Sequence, residues 1–415
     1  MRKKDITQRD RNAVSVIFAF FISIWYVNRL CGTLFNTGGM VFSLAILGIL
    51  LAIFYKTVVK VELSAFVLAF GLVVVLYYAI TRQVAYTTVN MGKFLFYFCS
   101  VSVLAMYKCD TEKFLRYSSY ISMLIWPFYE EYFVGEASGY INMGLSYALL
   151  PLLFAPFFHF LFYRKEKQFK LMYIIYIVSA FLLVKLMMNG TRGAVLSLIV
   201  AVGLIYIKGL NEKKVARYHL LRAVVVLILA IVASVYFYEI VDWAHSFLES
   251  LGVNARFLDK IIALDEQGDV SNGRWGLFEY TLSEIKNKPI LGHGIASMAY
   301  YGGKHSYAHN FLLQLMYDGG LVMTVPIIFF LWKAVYYVFC GEERDEVIFS
   351  LFMISITIPR ALFSGDVWEN ACFWLLVMHS AKYYNFKRKT GFDEFIQPVV
   401  VDESGAETVN EVAEL

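Results

Sequence analysis

Apolar runs long enough to cross a bilayer recur along nearly the whole chain, and no other property constrains its fold so tightly. A bilayer core of about 30 Å needs roughly 20 such residues in a helix. In hydrocarbon the backbone has no water to bond, so a spanning segment is either a helix or a strand of a closed barrel. The runs here are continuous and not alternating, which selects helices. They centre near Phe20, Leu47, Leu72, Cys99, Leu124, Phe154, Ile177, Ile199, Leu229, Ile328, Ile354 and Leu375. The fold class is therefore an all-α polytopic membrane protein of about twelve transmembrane helices. The run near Leu124 is the least secure, shortened by Pro127 and Glu130-Glu131. Composition agrees: 59% of residues are hydrophobic and 17% charged, where a soluble domain carries about 25% charged.

The basic residues set an orientation, since cytoplasmic connections are rich in Lys and Arg. With the N-terminus inside and the spans alternating, the inner connections hold Lys56 and Lys60, then Lys108, Lys113 and Arg116. Arg164 to Lys170, Lys208 to Arg222 and Lys387-Arg388-Lys389 follow on the same side. The outer connections hold isolated cations such as Arg29, Arg82, Lys93 and Arg192. Arg2, Lys3, Lys4, Arg9 and Arg11 precede the apolar run from Ala13 to Val27. With no small-x-small cleavage site after it, that run is expected to be an uncleaved first span. The net charge of +4 sits in these short connections, so it is a topology signal and implies no nucleic-acid partner. Cys31, Cys99, Cys109, Cys340 and Cys372 are scattered, which fits neither a disulfide framework nor a metal site. The acidic tail after Gln397 is expected to be disordered.

One segment departs from this pattern. From about Val241 to Ser306 the chain is mostly polar, between the ninth and tenth spans, and it falls on the outer side. Loops of that length in a compact protein are usually functional or disordered, and this one is too rich in Trp, Phe, Leu and Ile for simple disorder. The expected organisation is then N-terminal transmembrane helices over 1–169 and a core over 170–340 that includes the outer loop 241–306. C-terminal transmembrane helices over 341–386 and a cytoplasmic tail over 387–415 complete it.

Three polar clusters open helices on that outer side. Asn189-Gly190-Thr191-Arg192-Gly193-Ala194 starts the eighth span; Thr191 suits a cap and the glycines suit close approach of a ligand. Arg192 could equally be an interfacial cation that snorkels to headgroups. Ser271-Asn272-Gly273-Arg274-Trp275 starts a helix whose Phe278, Leu282 and Ile285 recur at helical spacing. A cation in a first turn opposes the helix dipole, and an anion resting there would offset the repulsion. Pairing of Arg274 with Glu279 or Asp269 on a solvated face is the plainer alternative. Tyr307-Ala308-His309-Asn310 opens the tenth span, with Asp318-Gly319-Gly320 two turns further in. His309 suits a proton acceptor, or else a hydrogen-bonded interfacial role, and His293 and His305 compete with it. If these starts converge, their cations and dipoles suit a diphosphate. Trp243, Trp275, Tyr300, Tyr301 and Tyr307 read mostly as an interfacial aromatic belt.

In this order, the clusters resemble the O-antigen ligase and O-antigen polymerase superfamily of bacterial surface-glycan enzymes. The resemblance runs from about Lys170 to Cys340, through Thr191-Arg192-Gly193-Ala194, Arg274 before a Trp-containing helix, and Pro289-Ile290-Leu291-Gly292-His293-Gly294. It ends with His309-Asn310-Phe311-Leu312 and Asp318-Gly319-Gly320-Leu321. Asp318 departs from the family's commoner Glu. The resemblance implies a membrane-embedded glycosyltransferase of the C type in the bacterial cytoplasmic membrane, with its active site on the extracytoplasmic side. Its donor would be an oligosaccharide on undecaprenyl diphosphate and its acceptor a glycan, lipid or protein. Transfer would invert the anomeric carbon, with no metal or other cofactor. Arg192 and Arg274 would hold the diphosphate, His309 would stand near the attacking hydroxyl, and Asn310, Gly292 and Gly294 would line the substrate site. A chain-length regulator is compatible as a further partner.

Polymerisation of lipid-linked repeat units is the expected activity, with ligation to a lipid or protein acceptor as its neighbour. A lipid-linked glycan flippase or transporter is the alternative of another class, since about twelve spans suits those too. Transporters tend to show repeats, broken helices and ionisable groups deep in their spans. Here the polar groups gather at one face, Lys185 being an exception.

Overall fold

The computed structural model of the protein describes residues 8–35, 39–58, 109–128, 143–164, 170–189, 192–209, 216–253, 256–266, 274–295, 297–298, 307–341, 343–363 and 365–381, with a few single positions between them. Among the described residues every regular element is helical. In chain order these are α1 (Gln8–Phe35), α2 (Gly39–Ile53), α3 (Thr111–Ser122), α4 (Met143–Tyr163) and α5 (Lys170–Asn189). There follow α6 (Arg192–Lys208), α7 (Ala216–Val235), α8 (Phe237–Ser250), α9 (Arg256–Glu266) and α10 (Arg274–Asn287). The last are α11 (Phe311–Cys340), α12 (Arg344–Phe363) and α13 (Ala371–Ala381).

Among the described residues, five helices are long and apolar enough to cross a membrane: Gln8–Gly32, Leu145–Tyr163, Lys170–Met188, Phe311–Cys340 and Arg344–Phe363. Leu221–Ala233 and Phe237–Ser250, bent by 79°, make a sixth if taken as one span. Shorter apolar helices, Phe42–Ile53, Gly193–Lys208 and Ala371–Ala381, stand where the second, eighth and twelfth spans are expected. The described residues thus account for five or six of the expected dozen. The run at Cys99, nearly all of that around Leu72, and the tail 387–415 lie outside them. At the expected fifth span the chain forms the 12-residue α3 and then a 3₁₀ turn, Met123–Phe128, containing Pro127. At about 1.5 Å per residue, α3 falls well short of a bilayer's thickness. Its buried face alternates Phe114 and Leu115 with Ser118, Ser119 and Ser122. The serine hydroxyls donate back into the helix, Ser118 to the Phe114 carbonyl at 2.8 Å and Ser119 to that of Leu115 at 2.7 Å, which lets polar side chains be buried at little cost.

The bundle has inner and outer helices. The apolar windows of α4 and α12 are 78% buried, against 39% for those of α5 and α11. Exposed Ile174, Ile177, Phe181 and Val184 stripe α5, and Leu321, Val325, Phe329 and Trp332 stripe α11. Such faces belong against lipid, not water. Aromatic packing ties the centre: Phe114 of α3 meets Phe18 of α1 and both Phe349 and Phe352 of α12, and Phe158 of α4 meets Phe352 edge-on at 5.2 Å. Offset and edge-on ring pairs of this kind contribute about 0.5–1.5 kcal/mol each beyond area burial.

The segment expected as one polar loop is mostly helix. Val241, Ala244 and Leu248 of α8 pack on Leu258 and Ile261 of α9, and His245 Nε2 lies 2.9 Å from Asp259 Oδ1. Trp243 is 67% exposed and stacks on Phe247. α10 packs on α11.

Polar contacts gather connections at one end of the bundle. Thr57 donates to Asp10 at 2.7 Å, Gln8 to Asp110 at 3.0 Å and Thr111 to the Asp345 carbonyl at 2.9 Å. Tyr163 donates to the Asp345 carboxylate at 2.7 Å, and Lys208 to the Phe339 carbonyl at 3.3 Å. Every one of these residues belongs to, or adjoins, a connection that the charge bias assigns to the same, inner side. The expected site residues lie at the opposite ends of the helices that leave this cluster.

Candidate functional site

The site is organised around α11, which is interrupted near its start. Gly320 takes φ 57° and ψ −160°, a conformation that disrupts helical pairing and that only glycine adopts readily. Backbone groups freed inside an apolar bundle must find other partners. The turn Pro289 to Gly294 supplies them. The amides of His293 and Gly294 donate to the carbonyls of Tyr317 and Asp318 at 2.7 and 2.8 Å. In return Leu321 and Val322 donate to the carbonyls of Pro289 and Ile290 at 2.9 and 3.2 Å. The turn is thus strapped across the helix break by four backbone bonds.

Glycine makes this approach possible on both sides. A Cβ on Gly292 (φ 68°) would stand 2.6 Å from the Asp318 carbonyl carbon, and one on Gly320 would collide with the carbonyl of Ile290. Gly294 has φ 107°. Side chains lock the strap further. The His293 ring stacks on Tyr317 with centroids 4.6 Å apart, and its Nε2 lies 3.0 Å from the Glu284 carbonyl. The fully buried Asp318 carboxylate accepts from Trp368 Nε1 at 2.6 Å and from Ser297 Oγ at 3.4 Å. A buried carboxylate is tolerated only with such donors around it. Sequence reasoning left Asp318 without a role and did not find Trp368, because the pair joins residues 50 apart.

His309 stands just before α11. Its φ of 56° is the single positive value among non-glycine residues described. That conformation costs about 1–3 kcal/mol and survives only where the surroundings over-determine it. Ala308 on one side is fully buried. On the other, Asn310 caps α11, its Oδ1 accepting from the amides of Leu312 and Leu313 at 3.0 and 3.2 Å. The Tyr307 ring lies 4.3 Å from the imidazole, centroid to centroid. His309 is therefore held at a helix start, whereas His293 is committed to the strap. His305 lies outside the described residues.

Arg274 is the first residue of α10. Its Nη1 donates to the carbonyl of Phe363, the last residue of α12, at 2.8 Å. A cation at a helix C-terminus meets its carbonyls favourably. Of the acidic partners expected for Arg274, Asp269 lies outside the described residues. Arg192 begins α6. The next residue, Gly193, meets the Tyr147 hydroxyl so closely that a Cβ would collide with it. Arg360, in the last turn of α12, lays its guanidinium over the Tyr147 ring, 5.2 Å from its centroid. Asp366 accepts from Gln314 Nε2 at 2.6 Å and from the Trp368 amide at 3.0 Å. Burial, followed by the nearby Asp366 charge, raises the Tyr307 phenol above its ordinary pKa, while Arg274 and Arg360 pull it down and Glu369 adds a smaller upward push.

One end of the bundle therefore brings together the start of α6 with Arg192, Arg274, Tyr307, His309 and the end of α12. Arg360, in the last turn of the eleventh span, and Asp366 and Glu369 just after it belong to the same surroundings but lie outside the stretch that sequence patterns single out. Among the described residues no cluster of three His, Cys, Asp or Glu side chains offers a metal site. No curated protein matches the chain. A family model described as O-Antigen ligase matches residues 177–328, which include Arg192, Arg274, the strap, His309 and the α11 break but not Arg360 or Trp368. That match supports the O-antigen ligase/polymerase superfamily for residues 177–328.

Proposed function

We propose that the protein is a membrane glycosyltransferase that polymerises oligosaccharide repeat units carried on undecaprenyl diphosphate, at the outer face of a bacterial cytoplasmic membrane. The observation that carries this reading is the grouping of a helix start at Arg192, the Arg274 guanidinium and the constrained His309 at one end of the bundle. In the reaction, His309 takes the proton of the acceptor hydroxyl. The hydroxyl oxygen bonds to the anomeric carbon as the bond from that carbon to the diphosphate oxygen breaks. The electron pair leaves with the diphosphate, and attack from the opposite face inverts the centre. Arg192 and Arg274 hold the charge that grows on the leaving group, the task for which planar guanidinium forks and helix starts suit best. Asn310, Gly292 and Gly294 line the approach, the glycines through the strap they permit. No metal takes part.

The acceptor in this reading is a second lipid-linked repeat unit, which arrives in the same leaflet and needs no further apparatus. The test is incubation of the purified protein with one synthetic undecaprenyl-diphosphate oligosaccharide and sizing of the products. A ladder of longer lipid-linked glycans, unaffected by EDTA, is the expected result. Products that appear only when a lipid or protein acceptor is added would replace polymerisation with ligation. EDTA-sensitive product formation would overturn the metal-free mechanism, and movement of substrate across the membrane without product would favour a flippase.

A further inference from the structure

Arg360 lies outside the segment that matches the family, yet it occupies the same end of the bundle. It sits in the last turn of α12, three residues before Phe363, whose carbonyl receives Arg274. Its guanidinium lies over Tyr147, and the hydroxyl of that ring abuts Gly193, the neighbour of Arg192. Tyr147 thus joins the ends of α12 and α6. Behind it the chain turns through Gly365 (φ 90°), where a Cβ would stand 3.6 Å from Arg360 Nε. The Arg360 side chain is half-buried at this end of the bundle.

From these contacts we propose that Arg360 is a third cation of the lipid-diphosphate site, binding the same leaving group as Arg192 and Arg274. The cation–π contact with Tyr147, 5.2 Å from guanidinium carbon to ring centroid, holds the Arg360 guanidinium at this end of the bundle. A planar donor fork suits two phosphate oxygens better than a mobile ammonium does. A diphosphate also has more acceptor oxygens than two arginines can fill. The acidic neighbour in the connection, Asp366, is turned to Gln314 and to the Trp368 amide, where it caps the 3₁₀ turn Val367–Glu369.

This inference rests on the diphosphate reading of the site, and binding separates the two. The full-length protein in lipid nanodiscs would be titrated with undecaprenyl diphosphate and, in parallel, with the neutral alcohol undecaprenol. Arg360→Ala should weaken diphosphate binding about tenfold or more, the scale of a lost charge-assisted contact, and leave undecaprenol binding unchanged. Arg360→Lys, which keeps charge and most of the volume if the alanine variant does not fold, should still lose at least about threefold. A purely structural arginine would instead weaken both ligands together or neither. Either folded variant with the wild-type preference for diphosphate over alcohol would overturn the inference while leaving the proposed function standing. A wild-type protein that shows no preference for the diphosphate would overturn both.

Discussion

His309 is where local strain and proposed chemistry meet. A left-handed backbone at a residue with a Cβ costs about 1–2 kcal/mol that glycine avoids, and here it is imposed by the Asn310 cap and buried Ala308. His309→Gly should therefore be more stable than His309→Ala by about 1 kcal/mol, read from thermal unfolding in detergent. Both should lose about 10²–10⁴ in turnover if the imidazole is the base. Turnover at the wild-type rate in the glycine variant would leave His309 with a conformational role alone. Arg274→Ala should lower turnover about tenfold to a hundredfold, the scale of one charge-assisted bond, and Arg274→Lys should recover little because it loses the fork. An alanine variant expressed normally and fully active would remove Arg274 from the site. Arg192, Arg274 and His309 stand out in the sequence because each sits in a polar cluster that opens a helix. Arg360 does not, since an arginine at the end of a span is ordinary there; only its approach to Tyr147 from a distant helix gives it meaning.

The helices themselves follow from hydropathy, but the strap between the Pro289–Gly294 turn and α11 does not. In the sequence Asp318-Gly319-Gly320 is a small polar interruption of a long apolar run, and nothing local tells a break from a continuous helix. The break exists because a second segment satisfies its backbone groups, a tertiary event invisible to periodicity. The same holds for the polar segment after α7, where α8 and α9 hide a short apolar seam inside a sequence that reads as loop. The strap makes sharp expectations. Gly320→Ala and Gly292→Ala each place a methyl group against backbone at positive φ, so both should destabilise by several times the ordinary helix cost of glycine. Gly276→Ala is the control: nothing lies within 4 Å of its Cβ position in α10, and it should be neutral or stabilising by up to about 1 kcal/mol. Trp368→Phe should remove about 1.5–3 kcal/mol by taking a donor from the buried Asp318 carboxylate, with unfolding midpoints as the measure. Equal midpoints for Gly320→Ala and Gly276→Ala would mean that the break is dispensable.

Across the whole molecule, two sets of contacts mark two ends. Connections that carry the basic residues meet at one end through Asp10, Asp110, Asp345 and Lys208, and the arginine–histidine grouping occupies the other. The positive-inside bias reads only the sequence, whereas the end-to-end grouping comes from packing, so their agreement supports the alternation of the helices between two ends. Which end faces the cytoplasm follows from the charge bias alone. It decides whether the site can meet a lipid-linked glycan after its passage across the membrane. Single cysteines at two exposed positions distinguish the ends: Lys286→Cys in α10, on the side of the site, and Glu343→Cys between α11 and α12. The background must lack the native cysteines, because Cys340 is exposed close to the second position. A membrane-impermeant maleimide on intact cells should label Lys286→Cys at once and Glu343→Cys only after permeabilisation. The reverse pattern would put Arg274 and His309 on the cytoplasmic side, where the site would face substrate before its export, and the proposed polymerisation at the outer face would fall with it.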